Sequence, residues 1–217
     1  MIQAYSKLYL EKTRTLIASM LDYAYNCLNM KIDEFYHLFL SSSFCHRVEK
    51  CDISINSGKS GIELTYLILD EKNIEYKKVN EPNIYSRSKE YWCGYYLAYF
   101  QWLTSLSFGT LNRYIDIKEI LSMYSAYHEM DVTNFCEDLI KEYNDRKKET
   151  NLKIFRQMVN ISQKELSIRS GVSFRTIQQY EQRAKNINKA SGETLVRLAN
   201  ALYCSVEDLL EIDNHID

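Results

Sequence analysis

Between Phe174 and Glu181 the chain reads FRTIQQYE, and the chemistry on offer there is hydrogen bonding rather than bond-making. Arg175, Thr176, Gln178 and Gln179 are long or polar donors and acceptors. Ile177 and Tyr180, three residues apart, share the other side of a helix. A short helix with an apolar back and an Arg/Gln/Thr front suits the major groove of a DNA duplex, where such side chains meet base edges. Phe174 stands at the first helical position, where an apolar side chain is wasted unless it touches a thymine methyl or a partner subunit.

Other residue sets of chemically active type fall short of a working pattern. Gly58-Lys59-Ser60 has the end of a phosphate loop, but the glycine needed five residues earlier is Ile53, and no hydrophobic strand leads in. Ser60 with Glu63 reads instead as a helix capping box. His37, Cys45, His46 and Cys51 are metal-ligand types at no standard zinc spacing. His128-Glu129 lacks the second histidine of a zinc protease helix. Ser86 and Lys89 form an SxxK with no partner motif, better explained by capping. The expectation is a protein that is not an enzyme and needs neither metal nor cofactor.

The helix from Phe174 needs neighbours to hold it, and the sequence supplies them. Ser162 and Glu165 form a capping box that opens a preceding helix with Leu166 inward. Gly171 stops that helix as a left-handed residue, Val172 fills the turn, and Ser173 caps the next helix. Upstream, Leu152, Phe155, Met158 and Val159 recur at helical spacing. Downstream, Ser191 caps a helix whose inner face is Leu195, Leu198, Ala199 and Leu202. Ser205 and Asp208 box a last one before Leu209 and Leu210. Residues 150–212 thus read as five short helices around one small core.

This stretch, SQKELSIRSGVSFRTIQQYE followed by TLVRLANALYCSVEDLL, resembles the Cro/C1-type helix-turn-helix domain, the XRE family. The resemblance implies that Phe174, Arg175 and Gln179 reach base edges, with Gln178 on the same helix. It implies that Gln163 and Ser173 or Thr176 hold phosphates. The segment EQRAKNINKASGET is longer than the usual family loop and lacks its common proline; Lys185, Asn186, Asn188 and Lys189 are its candidate phosphate contacts.

Charge is distributed accordingly. The net charge of −2 argues nothing, but residues 141–190 hold 12 basic and 5 acidic residues, a balance of +7, while residues 1–140 stand at −4 and 191–217 at −5. The positive block coincides with the helix-turn-helix, the electrostatic footprint of a phosphate-binding surface. One proline and six glycines in 217 residues favour helices. No run is apolar enough to span a bilayer, and MIQAYSKLYLEKTR lacks the pattern of a signal peptide. Six cysteines without a CxxC pair suit reduced thiols in a cytoplasm.

The first 140 residues read as an all-helical domain. One long helix is expected over 2–29, a second from Asp33 running to Val48, a loop over 51–61, a helix capped by Ser60, and a loop over 73–85 containing Pro82. Residues 87–107 form the most hydrophobic helix, which is expected at the centre of the bundle with its aromatic side chains in the core, the alternative being a groove for a partner or ligand. Asp116 with Glu119, and then Asp131, open two more. The charged run 141–150 reads as a linker. SKEYWCGYYLAYFQW and MYSAYHEMD resemble the upstream region of XRE regulators encoded beside toxin genes. The expectation is therefore an all-α protein with a partner-binding or sensing domain at 1–145 and a DNA-binding domain at 150–212. It would bind a double-stranded DNA operator as a homodimer, in the cytoplasm and away from membranes. Its leading role is the antitoxin and autorepressor of a toxin–antitoxin pair, with the N-terminal domain gripping the toxin. The alternative is a stand-alone repressor whose N-terminal domain senses a small molecule or only dimerises.

Overall fold

A computed structural model describes residues 3–79 and 87–211. Pro82, Ser86 and the second half of the expected loop lie outside them, as does the start of the first expected helix. Among the described residues the chain is helical throughout, without a strand, and it divides between Tyr143 and Asn144 into two compact units.

The first unit is built around two helices. Rather than one helix from residue 2, Ser6 caps a short 3-10 turn, Lys7–Tyr9, and α1 runs Leu10–Asn26. Its inner stripe includes Leu10, Ile17, Leu21 and Ala24, all buried. The hydrophobic helix is α6, Lys89–Thr104, capped by Ser88, and it lies along α1. Gly94 lets the two backbones touch: a Cβ there would sit 2.7 Å from Ala18 Cα and 2.7 Å from Ile17 O. Trp92, Tyr96, Phe100 and Trp102 are buried, whereas Tyr91, Tyr95 and Tyr99, expected in the core with them, are only half-buried.

The elements between differ in detail from the periodicity. The second expected helix breaks at Ser42, whose backbone is extended, giving α2 Ile32–Ser41 and α3 Ser43–Glu49. Asp33 is no cap; it pairs with Lys118 at 2.5 Å, a partner 85 residues away. The loop 51–61 contains a single turn, α4 Ile53–Asn56, capped by Asp52. The Ser60–Glu63 capping box opens α5, Gly61–Glu71, which packs on α1. After α6 come α7 Phe108–Asn112, absent from the sequence reading, α8 Ile117–Ser122 with its Asp116–Glu119 box, α9 Tyr124–Tyr127 and α10 Val132–Arg146.

The second unit contains five helices, as read from the sequence: α11 Asn151–Met158, α12 Gln163–Ser170, α13 Phe174–Glu181, α14 Gly192–Leu202 and α15 Val206–Leu209, with a 3-10 turn at Ile187–Lys189. Leu152, Leu166, Ile177, Tyr180, Leu195, Leu198, Leu202 and Leu209 form its core. The run 141–150 is more than a linker. Lys147 is only 3% exposed, its ammonium 3.0 Å from Glu211 and 2.5 Å from Asn151, and Thr150 caps α11. Burial lowers the Lys147 pKa by desolvation, and the Glu211 carboxylate beside the ammonium offsets part of that cost.

Candidate nucleic-acid interface

Helix α13 exists because its two ends are specified. Gly171 ends α12 in the left-handed conformation, φ 68°, its N–H bonded to Ser167 O at 2.9 Å. Two residues on, Ser173 Oγ accepts the N–H of Thr176 at 3.1 Å and starts α13. Ile177 and Tyr180 face the core, so helical geometry turns Arg175, Gln178 and Gln179 outward. Arg175 is exposed, Gln178 and Gln179 are half-buried, and Phe174 is 36% exposed at the N-terminal edge. None of the three polar side chains has a hydrogen-bond or ion-pair partner among the described residues. The Ser173 and Thr176 hydroxyls are 2.8 Å apart and bonded to each other.

A second set of groups fixes α13 against the start of α12. The Arg156 guanidinium grips the Glu181 carboxylate with two bonds, 2.6 and 2.9 Å, and donates a third to Ile161 O at 2.8 Å. Glu181 in turn accepts the Gln163 carboxamide at 2.8 Å. Both charged side chains are largely withdrawn from water, 13% and 3% exposed, so the pair is worth much more intact than with one member missing. Gln163, expected at a phosphate, is held at the N-terminus of α12 by this network. The Ser162–Glu165 capping box is half formed: Ser162 accepts the Glu165 N–H at 3.1 Å, but the Glu165 carboxylate pairs with Arg169 one turn on. A guanidinium outcompetes a neutral N–H for the carboxylate.

The loop candidates separate by what holds them. Asn188 donates to Glu211 O at 2.5 Å and accepts the Glu211 N–H at 2.8 Å, so its carboxamide pins the end of the unit. Asn186 caps the 3-10 turn. Lys185 lies 5.5 Å from the Tyr180 ring, and Lys189 is exposed. Arg183, in the left-handed region at φ 55°, reaches back to Lys147 O at 2.9 Å. Several cations of the +7 block are thus structural. Lys148, Lys164, Arg175, Lys185 and Lys189 carry no carboxylate partner among the described residues. Gln182, absent from the residues expected to meet DNA, lies seven residues beyond Arg175 and exposed on the same side; that repeat of seven is the signal in the sequence that marks it.

The metal-ligand types of the first unit do not converge. Cys45 is buried with Sγ on Glu49, and His37 lies beside Asn112. Among the described residues no three His, Cys, Asp or Glu side chains are placed to hold a metal ion, and no helix is long and apolar enough to cross a membrane.

A five-helix core with a capped turn between α12 and α13, and a polar outer face on α13, define a helix-turn-helix DNA-binding module. Residues 152–209 match the helix-turn-helix family model, that of Cro/C1-type, or XRE, domains. The match stops short of the first 151 residues. No curated protein and no solved structure matches the chain. The chain is a DNA-binding transcriptional regulator.

Proposed function

We propose that this regulator is the antitoxin and autorepressor of a toxin–antitoxin pair, acting in the cytoplasm as a homodimer on a palindromic operator. In this reading the first unit grips the toxin. The observation that favours a protein partner is the one open side of α6. Tyr91, Tyr95 and Tyr99 recur every four residues and are only half-buried. The Arg14 guanidinium lies 3.6 Å from the Tyr95 ring, and that of Arg87 lies 4.7 Å from the Tyr91 ring. Tyrosine and arginine are the side chains that dominate the energetics of protein interfaces. The resemblance of SKEYWCGYYLAYFQW to regulators encoded beside toxin genes points the same way.

Co-expression with the product of the adjacent gene tests it. Rescue of growth from a cytotoxic neighbour, lost on Tyr91→Ala/Tyr95→Ala, supports the reading; a neighbour that is harmless alone sinks it. The second reading, a stand-alone repressor sensing a small molecule, is favoured by an open cleft of about 500 Å³ in the first unit, lined by Lys12, Thr15, Ser19, Lys59 and Ser60. An operator complex released by a metabolite, with no toxic neighbour, would select it.

A further inference from the structure

We infer that each operator half-site carries a guanine read by Arg175 and an adenine read by Gln179, no more than two base-pair steps apart. The inference rests on the assignment of α13 as the helix that enters the groove, and it deepens that assignment from duplex DNA in general to a base composition.

Some side chains on α13 are already committed to partners within the unit. The hydroxyls of Ser173 and Thr176 are bonded to each other, and that of Ser173 also accepts the Thr176 N–H at the start of the helix. Glu181 is turned inward and held by Arg156, so no carboxylate stands on the outer face. That leaves Arg175, Gln178, Gln179 and Gln182, one guanidinium followed by three carboxamides. At about 100° per residue, Arg175 and Gln179 are ~40° apart around the helix and Gln182 lies ~20° from Arg175, so they form one ridge opposite Ile177 and Tyr180.

Chemistry then selects the bases. A guanidinium has only donors and needs two adjacent acceptors, which guanine presents in the major groove as O6 and N7. A carboxamide carries one donor group and one acceptor, which adenine matches with N7 and N6–H. With no carboxylate on the ridge, nothing there is dedicated to the amino group of cytosine. Spacing follows from helical rise: Arg175 and Gln179 are ~6 Å apart along the axis, under two base-pair steps of ~3.4 Å. Phe174 flanks Arg175 at the N-terminal edge and suits a thymine methyl.

Selection of bound duplexes from a random pool by the full chain, followed by titrations at one fixed salt concentration, tests this. The enriched half-site should contain G and A within two steps. Replacing that guanine by 7-deazaguanine should weaken the wild-type protein about 10- to 100-fold and leave Arg175→Ala unchanged. Replacing the adenine by 7-deazaadenine should do the same for wild type against Gln179→Ala. Both side chains lie on the outer face, so these variants should fold. An enriched half-site that tolerates any base at the G or A position overturns the inference, as does a deazapurine penalty that persists in the matching variant. Enrichment of no duplex at all overturns the DNA-reading assignment and this inference with it.

Discussion

Arg156, Glu181 and Gln163 form a contact set that fixes α13 against the start of α12. Removing Arg156 alone leaves a buried carboxylate with only a carboxamide for company. Arg156→Met is therefore expected to destabilise the second unit by about 3–5 kcal/mol. The double variant Arg156→Met/Glu181→Leu replaces the charges by apolar volume and should recover most of that stability. It should not recover DNA affinity, because Gln163 has lost its anchor. Denaturant unfolding and anisotropy titration of both variants separate the two effects. In the first unit Glu49 offers a pH test. Burial raises its carboxyl above the ordinary value, partly offset because Glu49 accepts the Phe108 N–H at 2.8 Å. A raised folded pKa means the folded state holds its proton more tightly. This group's contribution to stability therefore grows as pH falls through the folded pKa towards the ordinary carboxylate range, and is smallest above it. Glu49→Gln keeps an acceptor for Phe108 without the charge. It should be at least as stable as wild type at neutral pH and lack that rise on acidification, as read by thermal melts across the acid range.

Helix ends show which parts of the architecture are local. The boxes Ser60–Glu63, Asp116–Glu119 and Ser205–Asp208 were legible because both partners lie within one turn. Ser162–Glu165 failed by half because Arg169, also local, offered a better partner. Asp33 failed as a cap because its partner Lys118 is brought to it by the fold, and no local pattern announces that. The outward face of α13 was legible from Ile177 and Tyr180 alone. The Arg156–Glu181–Gln163 network and the tie of Asn188 to Glu211 were not, since each joins residues 18 to 25 positions apart through tertiary packing. Two glycines test this distinction between local and tertiary causes. Gly171 needs its left-handed backbone, and a Cβ there meets only Arg197 Nη1 at 3.6 Å. Gly171→Ala should cost about 1 kcal/mol, from conformation alone. Gly94 has ordinary helical geometry but no room against Ala18 and Ile17. Gly94→Ala should cost more, about 1–3 kcal/mol, by forcing α1 and α6 apart. Equal losses for the two in chemical denaturation would refute this division.

At the scale of the whole molecule, where to cut the chain follows from which side each residue's partners lie. Tyr143 is 2% exposed, with its ring edge-on to Tyr114 at 5.1 Å, so a first fragment must reach residue 143 rather than stop at 140. The family match covers 152–209, but the second unit uses residues beyond both ends of it. Lys147 pairs with Glu211, Thr150 caps α11, the Asn151 N–H and carboxamide bond Glu211 and Leu210 O, and Glu211 is tied to Asn188. A fragment of residues 144–217 keeps all of these and should unfold cooperatively. Trimming it to 152–209 strands the Asn188 carboxamide and uncaps α11, and should cost at least about 1–3 kcal/mol, a large share of the stability of so small a unit. Residues 1–143 should fold as helix and bind no operator DNA. Residues 144–217 should bind it more weakly than the full chain if the first unit supplies dimer contacts. Circular dichroism melts and operator titrations of the three fragments check each statement. Co-expression adds the functional half: on the antitoxin reading 1–143 alone neutralises the toxin, and protection by 144–217 instead would move the partner site to the DNA-binding unit.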